Sequence, residues 1–457
     1  MNTRRGISIV SKTLIKNGMI ITVDGDDRVL DRGYLVIEGN KIAEIGAGDY
    51  QGEADCVVDA AGKAVLPGIV DAHSHVAGSL FKALTEDPEN GFYGLSLPME
   101  GQLTPETTYH LSLLGAVEQM KAGITCTNDI YHYMDRVTQA FYDIGMRAVV
   151  SQNIVDVDIA ALRYDDYTRY PKMGQDFVEQ NIRLIEDWNG KDDGRITCRF
   201  GPHATDTVSL ELAKQIVELG EKYGVGFHTH ISQSPREAKY VQETYGFSCL
   251  GYLKESGLLG EHLMGAHCIY IDDDDVKMLA ESRTPMLHCA EMLGKRGHVP
   301  PVKRMFDEGV RLILGTDWVT QDCWTNMRAA ISMDRMAGCT VHDMNAKKAL
   351  RKSTIEPAEA LGLGDKIGSL EAGKQADVIL VDLQSPNLTP MFDDPVATLV
   401  YNANRHDVCD VMIAGRWTVR DHLLKTAEER EILANGQKIA NEIYQAHLAS
   451  KNADWNH

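Results

Sequence analysis

Between about residues 67 and 365 the chain repeats one pattern, a short apolar β-branched run followed by an amphipathic helical stretch. The runs are LPGIVDAHSHV, AGITCTND, RAVVSQNIV, ITCRFGPHA, VGFHTH, HLMGAHC, TPMLHC and VRLILGTD, and SLELAKQIVELGEKYG is typical of the stretches between them. Strands joined by helices must run parallel, because each helix carries the chain back to the end from which it started. The alternation therefore predicts an α/β chain built on a distorted (β/α)8 TIM barrel spanning 67–365, with its chemistry at the C-terminal ends of the strands.

The flanking segments read differently. IVSKTLIKNGMIITVD, GYLVIEGNKIAEIG and CVVDAAGKAVLPG are short β-segments divided by Asn-Gly, Gly-Asn and Ala-Gly steps. GSLEAGKQADVILVDL and DVMIAGRWTVRD repeat that character far downstream. The economical reading is one small composite β-sandwich, from residues 1–66 and 366–424, completed when the chain returns. Residues 425–457 contain a strong helical pattern, expected to pack on the body or serve a homo-oligomer, dimer or larger.

The Lys/Arg and Asp/Glu counts, 46 and 66, leave a net charge of −20, which argues against a nucleic-acid partner. Nine cysteines without a C-x-x-C pair read as reduced thiols in a cytoplasmic protein. No apolar run approaches the roughly 18 residues of a membrane span, and no signal-peptide h-region is seen, so no membrane partner is expected. GLGDKIG lacks the spacing of a dinucleotide site. The partner expected is a small molecule.

Histidines carry the chemistry. His73 and His75 stand at i and i+2 at the end of an apolar run, so a strand would turn both imidazoles to one side. Alone, such a pair is usually two hydrogen-bonded structural histidines. Here His203, His228, His230, His267 and Asp317 each follow a later run, where a barrel-top site needs polar groups. Neutral imidazoles and a carboxylate converging at one mouth suit a borderline divalent ion.

PGIVDAHSHV, H-x-H-x-x-Q, GAHC and GTD, in that order, resemble the amidohydrolase superfamily, and EAGKQADVILVD resembles its returning β-sandwich segment. Within it the chain is similar to the branch of triazine hydrolases, cytosine- and S-adenosylhomocysteine-type deaminases and phenylurea hydrolases. The resemblance implies a metal-dependent hydrolase of non-peptide C–N bonds. It makes His73, His75, His230 and Asp317 ligands of one divalent ion, zinc first, with iron, manganese or cobalt open. It makes His267 and Asp317 the groups that manage the protons of the attacking water, His203 a substrate contact, and His228 a support behind the ligands.

Two departures shape the expected reaction. ITCRFGPHATD offers no lysine to bridge a second metal, so one ion is expected. Deaminases of this branch carry a glutamate three residues after the strand-five ligand, whereas this chain has Gln233. An amide can orient substrate but cannot give or take a proton. Gln233 thus tilts the reading toward urea, amide or carbamate hydrolysis. Deamination or dechlorination of a triazine, pyrimidine or purine ring is the alternative, and an inactive metal-containing binding protein a second one.

Around this core, Trp318, Trp324 and Phe92 are expected to line the pocket with Gln233 and His203, Phe92 from a long cap between Lys82 and Thr107. Cys323 is read with Trp324. The acidic run Asp272–Asp275 is expected to cap a helix rather than bind a cation.

Overall fold

The computed structural model describes residues 12–88 and 91–454, without the side chains of Phe92, Tyr93 and residues from 450 onward. Eight parallel strands follow the eight runs. Ile69–Ser74, Ile124–Tyr131, Arg147–Ile154 and the divided fourth strand, Ile196–Cys198 with Gly201–Pro202, form one sheet. Phe227–Ile231, Leu263–His267, Met286–His288 and Leu312–Leu314 form the other. Isolated parallel bridges join the two sheets at both seams, Phe200 to Phe227 and Ala204 to His230 on one side, Ser74 to Asp317 on the other. The strands thus form a distorted ring.

Val70, Ala72, Cys126, Val149, Met264, Ala266, Leu287 and Ile313, drawn from six of these strands, make one buried cluster with Leu361, Leu363 and Ile367. This is the packed interior that a barrel of this size requires. Above it the inward positions become polar. Strand one changes parity on the way, since Val70 and Ala72 point inward and so do His73 and His75. A register shift between Asp71 and Ser74 supplies the extra residue.

The sandwich is composite, as the two β-rich ends suggested. One nine-stranded sheet runs from Leu423–Leu424 through Arg416–Arg420, Val408–Ile413, Val378–Asp382, Lys63–Pro67, Lys12–Ile21 and Val29–Glu38 to Lys41–Ala47, with Cys56–Asp59 beside Lys12–Ile21. The ends meet where Val378–Asp382 pairs antiparallel with Lys63–Pro67, Leu380 opposite Val65. Ile15, Leu35, Ile37, Val65, Leu380 and Met412 fill its core. The terminal helix Glu429–Asp454 lies against the helix Pro105–Lys121, pinned by Lys121 to Glu429 at 2.6 Å. Asp272 caps the helix Asp273–Ser282 by accepting from the amides of Asp274 and Asp275, which accounts for the acidic run. No helix among the described residues is long and apolar enough to cross a membrane.

Barrel and sandwich are tied by a buried fork. Arg147, the first residue of strand three, donates Nε to Asp377 Oδ2 at 2.8 Å and Nη2 to Asp377 Oδ1 at 2.9 Å, both side chains 1 % exposed. Removing one partner strands a charge in low dielectric. Arg147→Ala is expected to cost about 3–5 kcal/mol, read by equilibrium urea denaturation.

Candidate metal centre and active site

The histidines and the aspartate meet at the mouth of the ring. Possible ligand atoms of His73, His75 and His230 lie within 4.8 Å of one another, as do those of His73, His267 and Asp317. His75 Nε2 is 3.2 Å from His230 Nε2 and 3.4 Å from Asp317 Oδ1, and His73 Nε2 is 3.7 Å from the same oxygen. Four donors about 2.1 Å from a tetrahedral ion stand about 3.4 Å apart. The spacing fits one ion.

The tautomers fit as well. His75 Nδ1–H donates to the Ile130 carbonyl, and His230 Nδ1–H donates to the His203 carbonyl at 2.6 Å, leaving each Nε2 lone pair free to point inward. His73 Nδ1 faces His228 Nε2 at 2.8 Å, while the buried His73 Nε2 has no hydrogen-bond partner. A buried orphan nitrogen beside a carboxylate is what a missing cation leaves behind. Burial and neighbouring imidazoles hold His73 well below the ordinary histidine range. Burial takes His75 down to about 3 and His230 to about 4. All three are therefore neutral, the form that ligates metal. Burial pushes Asp317 up to about 7, and the Arg296 guanidinium works against that rise.

Local backbone geometry aims the remaining groups. His267 and Asp317 both sit at positive φ, 80° and 69°, a costly conformation for residues with a Cβ. Each turns inward from the end of a short strand. His267 Nε2 comes within 3.8 Å of Asp317 Oδ2. Gly315 lets strand eight press against strand one, for a Cβ there would stand 2.7 Å from the His73 amide nitrogen.

A cavity of about 430 Å³ opens over this cluster. His75, His203, His230, Gln233, His267, Asp317 and Trp318 line it. Trp318 packs against Phe81 with the rings tilted by 57° and carries the Arg296 guanidinium 4.9 Å above its ring. His203 is steadied through Nδ1 by the Thr207 hydroxyl at 2.9 Å. The Phe92 side chain lies outside the described residues. Trp324 does not line the cavity, contrary to expectation. Asp322 accepts from the amides of Trp324 and Thr325 and starts a helix there, which buries Cys323 and Trp324 in the core. The Trp324 indole N–H donates to the Ala122 carbonyl at 2.9 Å.

The sequence reading missed His132, Tyr131, Glu100 and Arg296, all in the cavity wall. His132 follows the apolar run of strand two and could have been found by the criterion that found the others. Glu100 ends the short helix Leu97–Glu100 and Arg296 caps the helix Ala290–Lys295, both in connections whose paths the pattern does not give. Glu237, four residues beyond Gln233, points away from the cavity. It accepts from the amides of Ser232 at 3.0 Å and Gln233 at 2.7 Å and from the Thr205 hydroxyl at 2.6 Å.

If these residues hold an ion, His73→Ala should yield protein with less than one-tenth of the wild-type metal content and no activity. His228→Ala should weaken metal binding about 10–100-fold, since it orients His73 from behind. Metal analysis of purified variants checks both.

Residues 64–418 match the amidohydrolase family. The chain is 31% identical over 438 residues to the 5'-deoxyadenosine deaminase of Methanosarcina mazei, covering 94% of this chain and 98% of that one. It is 31% identical over 445 residues to the 5-methylthioadenosine/S-adenosylhomocysteine deaminase of Syntrophomonas wolfei, covering 94% and 99%. Among solved structures, an adenosine deaminase from Xanthomonas campestris with bound zinc superposes with a TM-score of 0.87 at 25% identity, over 95% of this chain and 98% of that one. Atrazine chlorohydrolase from Arthrobacter aurescens, complexed with zinc, shares the fold with a TM-score of 0.85 at 21% identity, over 94% and 100%. With its ligand cluster at the mouth of the ring, the chain belongs to the amidohydrolase family and is a hydrolase of C–N bonds other than peptide bonds.

Proposed function

We propose that this hydrolase uses one zinc ion to remove the amino group from a small heterocycle, with an adenosine-type nucleoside as the first substrate to test. Near full-length similarity to deaminases named for adenosine derivatives carries the reading. It outweighs the urea, amide or carbamate preference, which rested on Gln233 alone. That second reading keeps one observation in its favour, the amide at the position where a proton-transferring carboxyl is expected.

His73, His75, His230 and Asp317 would hold the ion through three neutral nitrogens and one carboxylate. When bound, it supplies the Lewis acidity that makes water a nucleophile at neutral pH. His267 and Asp317, 3.8 Å apart, are placed to take the proton of the attacking water and return one to the departing amine. Gln233 donates an N–H to a ring nitrogen, drawing electron density from the carbon under attack without protonating the ring. Trp318, with Arg296 over its ring, bounds one side of the cavity beside a planar base.

The rest of the cavity is polar. Glu86, Asp87 and Glu100 come from the loops after strand one, and Lys295, Arg296 and His298 from the segment after strand seven. Sugar hydroxyls or a polar side arm could add hydrogen bonds to these groups, which a bare aromatic amine could not reach. Glu100 accepts the Tyr131 hydroxyl at 2.8 Å, and burial pushes its carboxyl up to about 7. It has a second oxygen to offer a substrate hydroxyl, and it accepts better when ionised.

A panel of adenosine-type nucleosides, aminopyrimidines, aminotriazines, ureas and carbamates tests the assignment. Gln233→Glu should raise ring deamination by about 10²–10⁴, the usual worth of a placed acid or base. No gain on any ring amine, with good turnover of ureas or carbamates, would reinstate the second reading. If Glu100 binds hydroxyls as a carboxylate, KM should rise as pH falls through about 7, because protonation removes the acceptor. Glu100→Gln should flatten that dependence in a plot of KM against pH.

A further inference from the structure

The ring is weakest where its last strand meets its first. Ser74 to Asp317 is the one bridge found there among the described residues, whereas the opposite seam has two. Yet this seam must hold His73 and His75 against Asp317 to within a few tenths of an ångström. Asp317 also keeps a strained positive φ of 69°, which persists only where surrounding contacts over-determine it.

Two backbone bonds hold it directly, Asp317 N–H to the His73 carbonyl at 2.8 Å and His75 N–H to the Asp317 carbonyl at 3.0 Å, and the other contacts around it are side chains. Gln119, on the helix Pro105–Lys121, inserts its amide between the strands. Its Nε2 lies 2.6 Å from Gln321 Oε1, 2.9 Å from Ser74 Oγ, 3.2 Å from Asp71 Oδ2 and 3.3 Å from Thr127 Oγ1. Two hydrogens are thus shared among four acceptors drawn from strand one, strand two and the loop after strand eight. Ser74 Oγ donates to Gln321 Oε1 at 2.9 Å, and Asp71 accepts both the amide and the hydroxyl of Thr316. The Asp317 carbonyl in turn accepts from the His75 amide at 3.0 Å and from Gln321 Nε2 at 3.4 Å. Asp71, Ser74, Gln119, Thr127, Thr316 and Gln321 all show 0 % exposure. Gln119 Oε1 has no hydrogen-bond partner, but its Nε2 and the other five side chains bond to one another, and a buried network of this kind specifies one arrangement.

We propose that Gln119 and Gln321 are positioning residues for the metal centre, fixing Asp317 at the distance from His73 and His75 that ligation demands. Neither touches the cavity or any ligand side chain. They act through Asp71, Ser74, Thr316 and the Asp317 backbone, reinforcing the single bridge found at this seam among the described residues. The inference rests on the ligand assignment above, so the wild-type protein is the first measurement.

Zinc affinity by competition with a chromophoric chelator, the absorption spectrum of the cobalt-substituted protein, and Tm of the metal-free protein are compared for wild type, Gln119→Met, Gln119→Glu and Thr127→Val. Gln119→Met, similar in volume, should weaken zinc binding about 10–100-fold and alter the cobalt bands, with metal-free Tm within a few degrees of wild type. Gln119→Glu should be at least as damaging, because it removes the donor and sets a carboxyl against Asp71. Thr127→Val removes one of four acceptors and should cost about threefold, so an effect remains readable if the Gln119 variants fail to fold. Unchanged zinc affinity and cobalt bands beside a fallen metal-free Tm would overturn the proposal and leave Gln119 a packing residue. Wild-type protein that binds no zinc would remove the ligand assignment, and this proposal with it.

Discussion

The constraint on which the rest depends is the burial of neutral imidazoles in contact with one another. His73, His75, His230 and His267 are at most 9 % exposed, and their rings stand 4.8–5.4 Å apart in several pairs. Protonating one would place a charge in low dielectric beside three groups that could compensate it only poorly, so the cluster stays uncharged. Uncharged, it offers inward lone pairs with no donor to meet them. A divalent cation is the partner that satisfies several such nitrogens and a carboxylate at once. Fold and centre therefore depend on each other, since the ring brings the histidines together and the ion relieves what their convergence costs.

Much of this was legible in the chain because β–α alternation and the placement of a residue after an apolar run are local properties. The eight runs became the eight strands, and His75, His203, His230, Gln233, His267 and Asp317 line the cavity, with His73 fully buried beside them. The parity argument for His73 and His75 held for the pair but not for the strand. Val70 and Ala72 share their face only because of the irregularity after Asp71. Extra residues of that kind leave no mark in a hydrophobic pattern. Trp324 failed for a related reason. Two residues after Asp322 the chain is already helical, and an N-cap redirects side chains within a single turn. Glu100, Arg296 and Gln119 were invisible because their positions are set by loop paths and helix docking, which depend on contacts distant in sequence.

Positive φ marks the two residues whose direction matters most. Beyond Ala266 and Ile313 the barrel interior gives way to the site, and His267 and Asp317 are turned toward it by backbone conformations that residues with a Cβ adopt at a cost. For Asp317 the compensating contacts are found at Thr316, at its own carbonyl and in the absence of a side chain at Gly315. The Asp317 carboxylate is thus presented by the surrounding structure rather than by its own preference.

Gln233 departs from the proton-transferring pattern, and its surroundings show why Glu237 cannot stand in for it. Glu237 sits at the start of the helix Pro235–Tyr245 with its carboxyl committed to the amides of Ser232 and Gln233 and to the Thr205 hydroxyl. Ser232 is itself at positive φ, 47°, so these bonds hold the turn that delivers Gln233 to the cavity. Freeing Glu237 to act as an acid would dismantle the turn that positions the amide. On the proposed reading the site works with a hydrogen-bond donor at this position rather than a proton. That favours substrates whose reacting carbon is already electron-poor, or whose leaving group takes its proton from His267 and Asp317 on the side of the attacking water. Electron-poor amino-heterocycles and activated carbonyls meet the first condition, and a nucleoside amine would have to meet the second.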